Sequence, residues 1–263
     1  MILRRVIDHV RTQNWTAVAL DFVIVVMGVF MGIQLGNWND NRISAREAVA
    51  ARASLIADLR NDRDVYAVRR NFYLEVRAAA IRVADILDAE LPEETAAQWQ
   101  FIIDADNAGS IWPFAPSGQV YNELLNSGQL DLVGGPPVLR QMRDYYQDAA
   151  REAGVTFQYD SPFRIRSRRL LDWRLEEYEH DACAAIIGAN PSEILAEDQV
   201  YFPPCPPPDD AGRVAEAAAM MHAAEELPGD ARYLLKQLGL TLGFIDYLDD
   251  EAEALIMELE EQS

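Results

Sequence analysis

The sequence predicts an all-α protein, with a single N-terminal transmembrane helix followed by an elongated exported helical bundle. Three observations lead to this prediction. One apolar stretch near the N-terminus is long enough to cross a lipid bilayer. Apolar residues then recur at helical spacing through most of the remaining chain. The alternation of apolar and polar residues that is typical of strands is almost absent, which favours helices packed on helices.

The apolar stretch lies between two tryptophans, Trp15 and Trp38. Except for Asp21 and Gln34, every residue from position 17 to position 36 is apolar or small. As a helix, the segment from Trp15 to Trp38 is roughly 34 Å long at about 1.5 Å per residue, which matches a hydrocarbon core of about 30 Å. Indole rings prefer membrane interfaces, so the two tryptophans are predicted to mark the boundaries of a membrane span.

Three interpretations of this stretch are open. A cleaved signal peptide needs an Ala-x-Ala-like site after its apolar core, and the segment Gln34–Trp38 offers none. A buried core helix normally presents polar residues on one face, and Phe22–Ile33 contains no polar residue. An uncleaved signal anchor needs neither a cleavage site nor a polar face, and it is the favoured interpretation.

The flanking charges predict the orientation of the span. Three arginines and one aspartate precede it and two arginines and one aspartate follow it, namely Arg4, Arg5, Asp8 and Arg11, then Asp40, Arg42 and Arg46. This bias favours a cytoplasmic N-terminus. Residues 1–14 are then a cytoplasmic amphipathic segment, residues 15–38 the transmembrane helix, and residues 39–263 an exported acidic helical domain. The predicted location is a bacterial inner membrane, with the C-terminal domain in the periplasm.

A stripe of glycines runs along the span. Gly28, Gly32 and Gly36 form two overlapping G-x-x-x-G repeats, and Asp21 lies on the same side of the helix at about 100° per residue. Glycines at this spacing allow close packing against another transmembrane helix, of this chain or of a different one. For Asp21 two interpretations stay open, a carboxylate near the water interface or a hydrogen-bonding partner for a neighbouring span.

Composition narrows the classes of partner. The chain has 263 residues and a formal net charge of −20. Residues 47–263 contain 18 basic and 40 acidic side chains. Nucleic acids and anionic membrane surfaces attract basic patches, so neither is expected to bind this domain. Hydrophobic residues make up 50% of the chain, which indicates a folded domain rather than a disordered tail.

The sequence contains no catalytic or cofactor signature. It has no G-x-S-x-G, no Ser-x-x-Lys, no glycine-rich phosphate loop followed by Lys, and three histidines in all. Two groups of residues have metal-binding side chains at helical spacing. The first is Glu176, Glu177, His180 and Cys183, and the second is Met220, Met221 and His222. The first lies on one helix, which supplies too few ligands for a structural zinc site. Methionines in an alanine-rich helix are usually core residues, so the second group is not expected to bind a metal. Together with the missing catalytic motifs, this predicts no metal, no cofactor and no enzymatic activity.

The two cysteines, Cys183 and Cys205, both lie in the part predicted to be exported. An oxidising periplasm makes one disulfide between them a reasonable expectation. Such a bond would hold the proline-rich segment that surrounds Cys205. The alternative is two unpaired thiols.

Proline, glycine and the apolar period divide the rest of the chain into helices. The predicted helices are residues 47–89, Glu93–Asp104, Ser117–Asn126, Val138–Glu179 with a break near Ser161-Pro162, Ala211–Glu226 and Asp230–Glu260. Ser117 is predicted to cap the third of these, which stops near Gly128. Pro136 is predicted to stand in a first helical turn.

Two features are candidate contacts with a partner protein. The loop around Trp112 and Phe114 concentrates apolar bulk outside any predicted helix. It either packs into the bundle and closes one end or binds a partner. The densest basic cluster contains Arg164, Arg166, Arg168, Arg169 and Arg174. Either these arginines pair internally, with Asp172, Glu176 or Glu177, or they dock an anionic ligand or an acidic protein surface.

Three segments carry a resemblance to other proteins. The span ends in residues 32–40, GIQLGNWND, and residues 121–130 are YNELLNSGQL, followed by Tyr145-Tyr146. They are similar to the "IGLQ-x-x-NWN-D/E" and "Y-x-x-L-x-x-S-G-x-L" segments of a bacterial family of unknown function. Its members have one N-terminal span and a helical exported domain. The resemblance implies a fold and a location, and it implies no activity.

These observations together predict a non-enzymatic single-span inner-membrane protein. Its periplasmic helical domain is expected to make protein–protein contacts, as an accessory subunit or scaffold of a membrane complex. One alternative is a ligand-sensing periplasmic domain that signals through a partner span, since about fifteen cytoplasmic residues leave no room for an output domain. Another is an envelope hydrolase, which needs a nucleophile beside His180 or His222.

Overall fold

A computed structural model describes residues 15–149, 160–183 and 201–261. Within these ranges the chain is helical and contains no β-strand, so the predicted all-α class is confirmed. The α-helices are α1 Trp15–Leu87, α2 Thr95–Ala108, α3 Gln119–Ser127, α4 Pro136–Arg143, α5 Pro162–Leu170, α6 Trp173–Cys183, α7 Ala211–His222 and α8 Leu227–Glu261. A 3₁₀ turn, Leu130–Leu132, precedes α4, and a π-helical segment, Asp144–Ala149, follows it.

The chain divides into two compact units, the first ending at Ala51 and the second beginning at Arg52. The first unit contains the N-terminal part of α1. Large apolar side chains are exposed all along it, among them Phe22 at 69% and Leu35 at 65%. Among the described residues α1 is the one helix that is long and apolar enough, by length and composition, to cross a membrane.

The second unit has its core between the C-terminal part of α1 and α8. Both helices bury an apolar stripe at a spacing of three or four residues. The buried residues include Leu55, Leu59, Phe72, Val76 and Val83 on α1, and Leu234, Leu238, Ile245, Leu248 and Leu255 on α8. Removal of these side chains from water is the main stabilising contribution to the domain.

Ion pairs follow the seam between α1 and α8. They join Arg60 to Glu260 at 2.7 Å, Arg63 to Asp249 at 2.8 Å and Arg70 to Asp246 at 2.8 Å. Residue numbers fall along one helix as they rise along the other, so the two helices are antiparallel. The pairs are partly exposed and each contributes no more than about 1 kcal/mol.

The shorter helices pack around this pair. Helix α2 lies against α5 and α7, and α5 also contacts α8. Trp99 of α2 and Met221 of α7 are both 1% exposed. Arg82 of α1 holds α2 by a two-bond contact with Asp104, at 2.8 Å from Nε and 2.6 Å from Nη2.

Several helix ends differ from the sequence prediction. Helix α2 runs on to Ala108, and α7 stops at His222 rather than at Glu226. Helix α8 begins at Leu227 and includes Pro228 in its first turn. This position is favourable because a backbone N–H in the first turn has no intrahelical acceptor.

The segment predicted to be helical over Val138–Glu179, with a break near Ser161-Pro162, contains a second break that was not predicted. Helix α5 begins at Pro162, but it ends before Leu171, whose backbone is extended at φ −71° and ψ 133°. Asp172 then opens α6, since its side chain accepts the backbone N–H of Arg174 at 2.9 Å. The turn between α5 and α6 lets the two helices reach different neighbours.

Candidate functional site

A buried carboxylate, Asp62 of α1, is the centre of a polar network in the second unit. Asp62 is 2% exposed. Its Oδ1 accepts the backbone N–H of Ser117 at 3.0 Å, and its Oδ2 accepts the hydroxyl of Tyr145 at 3.0 Å. The Tyr145 hydroxyl also lies 2.9 Å from the hydroxyl of Tyr66. The network ties α1 to the start of α3 and to the π-helical segment.

Helix α3 is capped by the side chains of α1. Gly118 precedes α3 with φ 61°, a left-handed conformation that glycine adopts without strain, and no side chain at that position caps the helix. Instead Asp58 Oδ2 accepts the backbone N–H of Val120 at 3.2 Å, one turn away from Asp62. The prediction that Ser117 caps this helix is therefore wrong, because the acceptor oxygens come from another element.

Burial sets the protonation of this network. It raises the pKa of Asp62 to about 6, because the charged form loses water, while the hydrogen bonds from Ser117 and Tyr145 act in the opposite direction. Burial likewise raises the pKa of Tyr66, Tyr145 and Tyr146, so these phenols stay protonated. Asp62 is therefore a buried acid among neutral phenols, with Asp58 one turn away as a second negative charge that also raises its pKa.

Two of the segments that carry the family resemblance meet beside this network. The rings of Tyr121 and Tyr146 stack with their centroids 4.7 Å apart. Gly128 ends α3 with φ 70°, as predicted, and Pro136 stands in the first turn of α4, also as predicted. In this structure these residues pack the core and end helices.

The aromatic loop between α2 and α3 packs inward through Phe114. Phe114 is 4% exposed. Its ring meets Tyr66 and Tyr73 edge-on, with centroid distances of 6.3 and 6.2 Å, and lies 6.4 Å from the ring of Phe244. This part of the loop therefore belongs to the core, the first of the two expectations for it.

Trp112 lies at the outer side of the same loop and is half-buried. Its ring meets Phe72 edge-on with centroids 5.5 Å apart. The guanidinium of Arg69 lies 3.4 Å from the centre of the indole and Arg69 Nε donates to the carbonyl of Pro113 at 3.1 Å. Burial lowers the pKa of Arg69 to about 10, so it stays charged at neutral pH.

Three arginines of the basic cluster on α5 and α6 form ion pairs with acidic residues. The ion pairs are Arg166 with Asp230 at 2.7 Å, Arg168 with Asp106 at 3.1 Å and Arg174 with Asp172 at 3.7 Å. Arg164 donates to the backbone carbonyl of Gly109. Arg169 is exposed, with no ion pair in the part of the chain that the structure describes. Of the partners expected from the sequence, Glu176 and Glu177 are not used within that part.

A cleft of about 300 Å³ opens beside a disulfide. The disulfide joins Cys183, the last residue of α6, to Cys205 in the proline-rich segment, with Cα atoms 5.2 Å apart. Both half-cystines line the cleft, and neither is a free thiol that could bind a metal. The polar lining comes from Asp106, Asn107, Ser110, Arg168, Glu176, Glu179 and His180.

Glu179 is the half-buried acid of this cleft. Burial, together with the nearby charge of Asp106, raises its pKa to about 8, and Arg168 acts in the opposite direction. At neutral pH its carboxyl is therefore protonated and can donate a hydrogen bond. Ser110 and His180 share no hydrogen bond among the described residues, and no metal-binding group of three acids, histidines or cysteines occurs there. The cleft can hold a small polar molecule, but it presents no activated nucleophile.

The side chains of Met220, Met221 and His222 on α7 do not come together at one site. Met221 is core at 1% exposed, whereas Met220 is 46% exposed. His222 Nε2 lies 3.0 Å from the backbone carbonyl of Ala89, where it fixes the end of α7 against the end of α1. The expectation that methionine in this helix is core is correct for Met221 and wrong for Met220.

Helix α8 presents an apolar face that the sequence analysis did not predict. Leu240 is 70% exposed, Tyr233 54% and Tyr247 48%. Gly239 and Gly243 flank Leu240, and an added Cβ at either glycine meets no atom within 4 Å. The sequence feature that could have indicated this face is the G-x-x-x-G pair beside Leu240, a leucine outside the core stripe of the helix.

The anchor glycines are open in the single chain. An added Cβ meets no atom within 4 Å at Gly28, Gly32 or Gly36. Trp38 is 64% exposed, as a ring at a membrane interface would be in one isolated chain. The side chains of Trp15 and Asp21 and the predicted cytoplasmic segment 1–14 lie outside the described residues.

Comparison with known proteins gives no match. No protein-family model, no curated protein and no solved structure matches this chain. The resemblance of the three short segments to a bacterial family stays a prediction.

Proposed function

We propose that the chain is a single-span inner-membrane protein whose exported helical domain makes protein–protein contacts, as an accessory subunit or scaffold of a membrane complex. The exposed face of α8 carries this proposal. Burying a leucine side chain stabilises by roughly 1.5–3 kcal/mol. Tyr233, Leu240 and Tyr247 lie at heptad spacing on one face of α8, and each is about half exposed or more. Large apolar side chains exposed along one helix face are typical of a protein-binding surface.

The anchor supports the membrane part of the proposal. Residues 15–38 would cross the inner membrane with the N-terminus in the cytoplasm and residues 39–263 in the periplasm. The length and apolar composition of α1 suit a span. The bond between Cys183 and Cys205 suits an oxidising compartment, where disulfides form and persist.

Reporter fusions at Ser263 test the orientation. A reporter enzyme that is active only after export should be active there, and a reporter that works only in the cytoplasm should be silent. The reverse pair of results would place the helical domain in the cytoplasm and remove the environment that the disulfide needs.

Gentle detergent extraction tests the protein contacts. The extracted particle should contain more protein than one chain of 29.5 kDa, measured by light scattering with correction for bound detergent. Leu240→Glu should reduce that mass, because a charge cannot be buried against an apolar partner. A single chain with no other protein bound would contradict the proposal.

Ligand sensing is a second candidate, and the cleft beside the disulfide favours it. Glu179 as a hydrogen-bond donor and Arg168 as a cation offer two different contacts to one small polar molecule. A thermal-shift screen of small polar compounds on the full chain tests it. A stabilising compound should lose its effect in Glu179→Gln and keep it in Glu177→Gln, an exposed acid of the same helix.

A further inference from the structure

The exposed face of α8 is self-complementary about Gly243. Lys236 and Asp250 each lie seven residues from Gly243, on opposite sides of it, and seven residues are two helical turns. Gly239 and Tyr247 each lie four residues from it. When such a helix is laid antiparallel on its own copy with the crossing at Gly243, Lys236 comes opposite Asp250 and Tyr247 comes opposite Gly239.

We infer that this face binds a second copy of the same chain, through antiparallel packing of two α8 helices around Gly243. The inference rests on the proposed function, since it names the partner that the exposed face takes. An antiparallel pair is two-fold symmetric, so every contact occurs twice and the same patch serves both copies.

Charge complementarity favours a second copy as the occupant. Lys236 is the only lysine of the chain and is exposed, as is Asp250. Neither forms an ion pair within the described residues. In the antiparallel pair each lysine faces the aspartate of the other copy. Parallel packing would instead set lysine against lysine and aspartate against aspartate, which is repulsive.

The distribution of acids along α8 also permits two copies to meet. The chain carries 43 acidic residues, yet none lies between Ala231 and Ile245. The part of the helix on the N-terminal side of the crossing point is therefore free of negative charge, and the nearest acids on the other side, Asp246 and Asp249, pair with Arg70 and Arg63 of the same chain. Two strongly acidic domains can approach there with little repulsion at the centre of contact.

The glycines provide the space that close helix packing needs. An added Cβ at Gly239 or Gly243 meets no atom within 4 Å, so the backbone of a second helix can come close at both positions. Tyr247 then covers Gly239 of the other copy, and Leu240 packs beside Gly243 of the other copy. Leu240, at 70% exposed, is the side chain that gains most burial.

The test uses the full chain in mild detergent. Two copies with different tags are expressed together, and capture of one copy is scored by recovery of the other. Sedimentation gives the dissociation constant. All variants are made in the Gly32→Leu chain as well, so that packing between anchors cannot maintain the pair.

Charge exchange is the decisive comparison. Lys236→Glu and Asp250→Lys should each weaken self-association about tenfold, because each creates two like-charge contacts in the dimer. The double variant restores opposite charges and should return to within about threefold of the original affinity. Single variants of unchanged affinity, or a double variant weaker than both singles, would overturn the inference.

Leu240→Glu provides a second readout with a matched control. It should weaken self-association on the order of a hundredfold, since a carboxylate would be buried without a partner. Leu125→Glu, a leucine of α3 that is 43% exposed, should have no effect. If the tagged copies do not pair but a different chain co-purifies, self-pairing is wrong and the proposed function holds. A monomer without any other chain overturns both.

Discussion

The hydroxyl of Tyr145 donates a buried hydrogen bond to Asp62, at 3.0 Å and across 83 positions of the sequence. The same carboxylate accepts the backbone N–H of Ser117. One side chain of α1 therefore holds both the start of α3 and the segment after α4. Since burial raises its pKa to about 6, we expect this link to respond to pH.

Asp62→Asn should make the helical domain less sensitive to pH. The folded-state pKa of about 6 lies above the ordinary value of 3.8, so folding favours the protonated acid. That contribution is complete below about pH 4 and is lost as the pH rises through about 6, by up to about 3 kcal/mol. Asparagine keeps the shape and cannot ionise. The difference in unfolding free energy between the Asp62→Asn variant and the original chain should therefore change in favour of the variant between about pH 4 and about pH 8. Denaturant titration measures both values.

Asp64→Asn is the control for that measurement. Asp64 lies on the same helix and is exposed. Its substitution should leave the pH dependence as it is. If the unfolding free energies of Asp62→Asn and the original chain changed with pH in the same way, the pKa of Asp62 would be the same in the folded and the unfolded chain.

The long periodic elements could be predicted from the sequence, and the caps of α3 could not. Apolar spacing alone locates α1 and α8, since each buries one stripe over many turns. Gly128 and Pro136 mark helix ends through local backbone geometry. The caps come from Asp58 and Asp62, which are 62 and 55 positions from the N–H groups that they accept. No local pattern records a contact of that separation.

The open face of α8 was missed for a related reason. An exposed leucine such as Leu240 looks the same in the sequence as a buried one, because exposure depends on which surfaces the other helices cover. The disulfide partner of Cys183 was easier, since Cys205 is the only other cysteine. The cleft beside that bond could not be foreseen, because it needs the relative positions of α2, α5 and α6.

Arg82→Ala should destabilise the domain by about 2 kcal/mol. Asp104 is 1% exposed and accepts two hydrogen bonds from the Arg82 guanidinium. Without the arginine the buried carboxylate keeps only the hydrogen bond from Gln100 Nε2 at 3.1 Å and loses its opposite charge, although Arg82 itself is partly exposed and water can replace some of its effect. Denaturant titration measures the loss. Arg77→Ala, at an exposed position of the same helix, should change stability by less than about 0.5 kcal/mol.

Replacement of both cysteines by serine should cost about 3 kcal/mol of unfolding free energy. The bond between Cys183 and Cys205 closes a loop with a sequence separation of 22 and so restricts the unfolded chain. The original chain with reductant should match the doubly substituted chain without it. If the original chain, the reduced chain and the doubly substituted chain were equally stable, the disulfide would make no contribution to the unfolding free energy of the domain.

Gly32→Leu should weaken the co-purification of whatever helix packs on the anchor. An added Cβ at Gly32 meets no atom within 4 Å in the single chain, so we attribute a loss of association to a second helix. Val29→Leu adds bulk at another exposed position of the span, and there association should be kept. Equal recovery from both variants would mean that the glycines are ordinary span composition.

Two substitutions in the aromatic loop separate core packing from partner binding. Phe114→Ala removes a ring that is 4% exposed and should cost about 3 kcal/mol or more, since it opens a cavity among Tyr66, Tyr73 and Phe244. Trp112→Ala should cost less, because the indole is half-buried and meets water on one side. If the loop also binds a partner, Trp112→Ala will reduce recovery of the partner at a temperature where the domain stays folded. Unchanged recovery with a small loss of stability would assign the loop to the core alone.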